Sequence, residues 1–279
     1  MALPPYMTTS EKVSYYGLRV FVGVVLLFLI APILAIMPLS FNSETFFSYP
    51  MPGFSTRWYT GGDDGFFTNA RWTDAVKLSV IVAVATTALA TCLGTLAALG
   101  LSRSNIPGRA AIMAVLISPM IVPVIISAIG LFFFYAYTGL NGTLPGIILA
   151  HTALATPFVV ITVTATLMSF DRTLMRAGAS LGGAPHTVFF KIVMPLILPG
   201  VISGALFAFV TSFDEVIVIL FIGGPEQRTL PRQMFAGIRE QISPTITAAA
   251  SVLIVFSTIL LVTVELLRRR GERLRGIKS

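Results

Sequence analysis

Between Arg109 and Asp171 the chain carries no Asp, Glu, Lys or Arg. A soluble core cannot absorb so long an uncharged stretch, but two membrane crossings of about 20 residues each, joined by a turn, use it up. The turn is legible at Gly139-Leu140-Asn141-Gly142-Thr143-Leu144-Pro145, a cluster of turn-forming residues. One span is therefore expected over 111–137 and another over 146–168.

Four more apolar runs, at 20–39, 78–101, 199–222 and 241–264, are long enough to cross. The predicted fold is an all-α membrane protein of six transmembrane helices. It divides into an N-terminal segment 1–19, a first span 20–39, an external loop 40–77, a membrane domain of five helices over 78–267 and a basic tail 268–279. Composition agrees, since 55% of residues are hydrophobic and 11% charged, with mean hydropathy +0.87. The run 20–39 exceeds the hydrophobic part of a signal peptide and ends in Pro38, Phe41 and Asn42 rather than a small-x-small cleavage site, so it is expected to stay as a helix. In the loop, which also holds Trp72, Trp58 and Tyr59 read as interfacial anchors.

Lys and Arg number 19 against 12 Asp and Glu. They sit in short runs beside apolar spans rather than on a soluble face, which argues for orientation in a bilayer and against a nucleic-acid partner. Putting both termini, the 102–109 turn and the 176–195 segment on one side collects thirteen of the nineteen, among them Arg103, Arg109, Arg172, Arg176 and Lys191. The other side keeps Arg57, Arg71, Lys77, Arg228, Arg232 and Arg239. The richer side is predicted to be cytoplasmic, with both termini there.

The segment 176–195, RAGASLGGAPHTVFFKIVMP, is not an ordinary connector. Gly182-Gly183 followed by Pro185 reads as helix, turn, helix. Arg176, His186 and Lys191 make it amphipathic, and Val188, Phe189 and Phe190 are expected as an exposed apolar cluster in aqueous territory, the mark of a contact surface.

Asp214 and Glu215 are embedded in the 199–222 span. At 1.5 Å per residue Asp214 lies about 21 Å along the helix from Gly200, on a stripe with Phe207, Thr211 and Val218. A carboxylate there must face the bundle interior or a watery path, and Glu215, about 100° further round, takes a different role. Lining a pathway and pairing with Arg of another subunit both stand as readings. Pro119 and Pro123 each remove a backbone hydrogen bond and predict a kinked helix that lines the path or is merely structural. No G-x-x-x-x-G-K-S/T, H-E-x-x-H, G-x-S-x-G or cysteine pair occurs. No catalytic residue, metal site or cofactor is therefore expected in this chain. His151 and His186 fall on opposite sides, and the lone Cys92 lies within an apolar run.

The segment 176–195 resembles the cytoplasmic loop of binding-protein-dependent ABC importer permeases, in which a Glu-Ala-Ala triplet, a Gly four residues on and a closing Ile-x-Leu-Pro recur. Those places hold Arg176-Ala177-Gly178, Gly182 and Ile192-Val193-Met194-Pro195. Arg176 replaces Glu, Gly178 the second Ala and Met194 the Leu. The phrases Gly53-Phe54-Ser55-Thr56-Arg57-Trp58-Tyr59, Ser212-Phe213-Asp214-Glu215-Val216, Phe221-Ile222-Gly223-Gly224-Pro225 and Thr229-Leu230-Pro231 extend the resemblance over nearly the whole chain, to the second permease of spermidine/putrescine-type importers. The resemblance implies a type I ABC importer permease fold in a bacterial inner (plasma) membrane. It implies a cytoplasmic coupling helix with His186, Thr187, Phe189 and Phe190 at its tip, Pro185 starting its second helix, Gly182 as its turn and Pro195 at its close. It further implies half of a pathway for a small cationic solute such as a polyamine. The implied partners are a homologous second permease, a dimer of ATP-binding subunits that hold ATP and Mg, and an external solute-binding protein. On this reading the chain is not itself an enzyme. An opine or amino-acid derivative as solute, or a secondary carrier or channel, are the competing expectations.

Overall fold

The computed structural model describes residues 8–48, 50–102, 106–168, 171, 173–240 and 243–274. The expected cytoplasmic charges Arg103, Arg172, Arg275 and Lys278 lie outside the described residues.

The first helix, α1 (Thr9–Leu39), starts well before the apolar run. Thr8 Oγ1 accepts the Glu11 N–H at 3.3 Å while the Glu11 carboxylate accepts the Thr8 N–H at 2.7 Å, a reciprocal cap that nucleates the helix inside the N-terminal segment 1–19, ahead of the expected span. At 31 residues it is about 46 Å long, more than a hydrocarbon layer of about 30 Å. After α1 the chain turns through a short helix α2 (Arg57–Thr60) and a 3₁₀ turn (Gly62–Asp64). Trp58 and Tyr59 are not free to anchor in lipid headgroups as expected. Trp58 is 2% exposed and its indole N–H donates to the Asn42 carbonyl at 2.6 Å. The Tyr59 hydroxyl lies 2.6 Å from Ser40 Oγ. Both rings fasten the loop to the end of α1, and the rings left exposed include Phe46 and Phe54. At the other end of the chain α12 (Pro244–Leu274) runs on past Arg268, so the stretch expected as a separate basic tail continues the helix as far as Leu274.

A second compact unit spans 70–236. Its helices are α3 (Ala70–Leu101), α4 (Arg109–Ile121), α5 (Val124–Thr138), α6 (Leu144–Met168), α7 (Thr173–Ser180), α8 (Pro185–Val188), α9 (Met194–Asp214) and α10 (Ile217–Ile222). The amphipathic α11 (Leu230–Glu240) follows. α3 begins eight residues earlier than the expected span at 78, taking Trp72 and Lys77 out of the loop. Its core is where α3, α6 and α9 meet, around Ala90, Ala155, Val159, Val163, Ile197 and Ala208. Glycine permits that approach: a Cβ on Gly204 would lie 2.6 Å from Thr162 Oγ1 and 3.0 Å from Val159 Cα. The α6 threonines 152, 156, 162 and 166 donate to carbonyls one turn back at 2.7–3.0 Å, so these hydroxyls are satisfied without water.

Two expected spans are broken. The run 111–137 is the helix pair α4 and α5, bent by 102°. Val122, forced extended by the proline after it, has φ −70° and ψ 131°, and Pro123 opens the new helix. Pro119 is tolerated inside α4 because Ser118 Oγ donates at 2.8 Å to Val115 O, the carbonyl a proline N cannot serve. Among the described residues five helices are long and apolar enough to cross, and the bent pair makes a sixth if it counts as one span. The run 199–222 likewise stops at Asp214, because Glu215 is extended (ψ 119°), and resumes as α10.

Candidate functional site: the 176–195 loop and a broken helix

The 176–195 segment folds as the sequence predicts in outline. Asp171 opens it: its carboxylate takes the Thr173 hydroxyl at 2.6 Å and the Thr173 N–H at 2.9 Å, capping α7. The hydroxyl first, then the N–H, hold this carboxyl below its ordinary range, with Arg176 adding a smaller attraction. α7 ends in a Schellman turn, in which the Gly183 N–H reaches Gly178 O (3.1 Å) and the Gly182 N–H reaches Ala179 O (3.0 Å). Gly182 has φ +80° and a Cβ there would meet nothing within 4 Å, so the demand for glycine is torsional and not steric. Pro185 then starts α8, whose last residue leads through a π turn (Phe189–Val193) into α9.

Packing within the loop explains one departure from the family pattern and corrects one expectation. A Cβ on Gly178 would stand 2.5 Å from Ile192 Cδ1 and 3.3 Å from Val188 Cγ2, so the missing methyl lets α7 lie on the α8 segment. Val188, Phe189 and Phe190 do not form one exposed cluster. Val188 is 7% exposed, Phe189 packs against the α3–α6–α9 core and only Phe190, at 65%, is open. The second apolar residue of the tip is Leu181, 90% exposed, which sequence reasoning passed over. Its signal was a leucine immediately before a helix-ending glycine. Arg176, Ala177, Pro185, His186 and Pro195 are exposed and Thr187 is half-buried. A pocket of about 490 Å³, lined by Leu99, Ser102, Leu167, Met175 and Val188 among others, separates the loop from the ends of α3 and α6.

The second locus is the end of α9. Gly200, Gly204, Ala208 and Ser212 form its buried face. Phe207 and Asp214 are exposed and Thr211 half-buried, so these three share a face turned from the core. Val218, expected on the same stripe, is fully buried on α10 because the helix breaks between them. Glu215 Oε1 accepts the Val218 N–H at 2.9 Å, engaging that carboxylate within the chain as a cap for α10. Pro119 and Pro123 sit at the α4–α5 bend, and α4 packs on α6. His151 is buried and its Nδ1 lies 2.9 Å from Ser212 Oγ, tying α6 to α9 just before the break. His186 is exposed on the loop, and among the described residues no three metal-binding side chains cluster.

Sequence reasoning also missed a clasp. The Gly142 N–H donates to Ile222 O at 2.8 Å, the Gln227 side-chain amide donates to Gly142 O, and Gln227 Oε1 accepts the Gly224 N–H at 2.6 Å. Arg232 Nη1 donates to Gly224 O and Gln227 O at 2.7 and 2.9 Å, and the Leu230 N–H donates to Ser79 Oγ at 2.7 Å. Burial, then repulsion from Arg228, lowers the Arg232 pKa from its ordinary value. The Gly-Gly-Pro phrase and Gln227 thus lock the α5–α6 turn to the α10–α11 loop, and the Thr-Leu-Pro phrase fastens the start of α11 to α3.

Residues 90–273, about two thirds of the chain, match the family described as binding-protein-dependent transport system inner membrane component. The chain is 32% identical over 252 residues to the spermidine/putrescine transport system permease protein PotC of Haemophilus influenzae, covering 90% of this chain and 96% of the relative. It is 32% identical over 237 residues to the putrescine transport system permease protein PotI of Escherichia coli K12, covering 81% and 82%. The fold matches a crystal structure of a bacterial ABC transporter involved in import of the acidic polysaccharide alginate, with TM-score 0.72 and 16% identity over 96% of this chain and 99% of that one. The matched region takes in the 176–195 loop, the α9–α10 break and the Gly142, Gln227 and Arg232 part of the clasp, and the chain belongs to the inner membrane components of binding-protein-dependent transport systems, as a permease subunit of an ABC importer.

Proposed function

We propose that this permease forms one half of the path for a small cationic solute of the polyamine class. A homologous second permease supplies the other half, and an external solute-binding protein delivers the cargo. A dimer of ATP-binding subunits, holding ATP and Mg, docks on the cytoplasmic loop around Leu181 and Phe190. The clasp side is external, both termini are cytoplasmic, and this chain contributes no group to hydrolysis.

The observation that carries the solute reading is Asp214, an exposed carboxylate at the end of a membrane helix, on the Phe207–Thr211 face and beside a break. A charge at such depth requires water or a counter-charge. An amine at 4 Å is attracted by about 4 kcal/mol at an effective dielectric of about 20. The names of the spermidine and putrescine relatives support the same class. The test is uptake of labelled putrescine by the whole complex in proteoliposomes. Asp214→Asn keeps the shape and should lower uptake about tenfold or more, equivalent to about 1.4 kcal/mol, at unchanged yield of complex. Full uptake would refute the cation path, and a loss that tracks loss of complex would assign Asp214 to assembly.

A further inference from the structure

The docking loop is electrostatically one-sided. Its cations Arg176 and Lys191 and the imidazole of His186 are all exposed. Its one acid from 171 to 195, Asp171, commits both oxygens to Thr173. Among the described residues the ion pairs are Arg57–Asp64 and Lys77–Asp74, and neither involves the loop. Beside these charges Leu181 and Phe190 stand 90% and 65% exposed on a turn already formed by its own hydrogen bonds and by the Gly178–Ile192 contact.

We infer that the surface receiving this loop is an apolar seat for Leu181 and Phe190 with a carboxylate on its rim opposite Arg176, and that the ATP-binding subunit provides it. This rests on the docking role proposed above and adds the chemistry of the partner. Two apolar side chains on a preformed turn suit a protein pocket. The eight-residue α7 is too short to offer a lipid surface the continuous apolar face that interfacial helices use, and Leu181 stands on the glycine turn that ends it. Charge at the rim of such a contact sets register and salt dependence more than bulk affinity. An exposed arginine on a loop whose one acid is already committed to Thr173 favours a facing charge of negative sign.

The test uses the intact complex in nanodiscs. In a Lys191→Arg background, Arg176→Lys places an amine that a water-soluble carbodiimide condenses with a contacting carboxylate to an amide. An amide between position 176 and an Asp or Glu of the ATP-binding subunit is expected by peptide mapping. Arg176→Glu should weaken retention of that subunit about tenfold and flatten its salt dependence, with Arg176→Gln between. A photo-crosslinker at Phe190 reports docking independently of charge. If it captures the ATP-binding subunit while no amide forms and Arg176→Glu binds as tightly as the parent, the acidic rim is wrong and docking stands. If neither crosslink forms, the docking role itself falls. If the Arg176→Glu defect appears in anionic nanodiscs and vanishes in neutral ones, the counter-charge is a lipid headgroup and the inference is overturned.

Discussion

Replacement of Gly182 isolates backbone geometry from packing, because a side chain there enters open space while φ is +80°. Alanine in the left-handed region costs about 1–2 kcal/mol, and a β-branched valine more, up to about 3 kcal/mol. Asparagine tolerates that region and should cost least. At 1.4 kcal/mol per factor of ten, alanine should leave the turn about 5–30 times less favoured over rearranged alternatives. The two Schellman hydrogen bonds from Gly182 and Gly183 open together, releasing Leu181 from its presented position. The spans are untouched, so membrane yield should be normal while solute moved per ATP falls in the order Gly, Asn, Ala, Val. The assay is coupled uptake and hydrolysis in proteoliposomes, with amide exchange across α7 and α8 as a structural readout. Wild-type coupling and protection in Gly182→Val would remove the turn from the mechanism. Equal behaviour of Gly182→Asn and Gly182→Ala would show that the torsional argument is wrong.

Topology is checked in a Cys92→Ser background: Phe46→Cys should react with an impermeant thiol reagent on intact cells and Leu181→Cys only after lysis, and the reverse pattern would invert the orientation. Gln227→Ala removes the bonds to Gly142 and Gly224, each worth about 1 kcal/mol, so exchange at the Gly224 amide should speed about fivefold or more, and unchanged exchange would deny the clasp. The Asp171 carboxyl is held below its ordinary 3.8 in the folded loop, so its capping contribution is complete above that value and is lost as pH falls through the lower folded value. α7 protection should show that acid loss in the parent and not in Asp171→Asn, and identical profiles would remove the cap.

What was legible depended on whether a break had a covalent cause. Pro123 and Gly182 announce themselves, since one forces its predecessor extended and the other adopts a φ that other residues avoid. The magnitude at Pro123 was not legible, because proline fixes a local torsion while the 102° bend depends on what α4 and α5 pack against. Trp58 and Tyr59 were misread because an aromatic ring near a membrane exit has the same sequence signature whether it meets lipid or, as here, Asn42 and Ser40. The exposed tip was half-legible: Phe190 by its place in an amphipathic run, Leu181 not, since an apolar residue in a turn has no periodicity to belong to.

The break after Asp214 had no such announcement. Ser212-Phe213-Asp214-Glu215-Val216-Ile217 contains neither proline nor glycine, and a hydropathy reading runs straight through it. What stops the helix is competition for a backbone donor. The Glu215 carboxylate takes the Val218 N–H, which an unbroken helix would give to Asp214 O. The same bond starts α10, whose residues Val218, Ile219 and Ile222 are then buried in the apolar cluster around Ile147 and Ala150. Burial of α10 and the turn at Glu215 therefore support one another, and the broken geometry is what leaves Asp214 at a helix terminus, with its carboxylate exposed. The two acids thus divide the work: Glu215 makes the break, and the break presents Asp214.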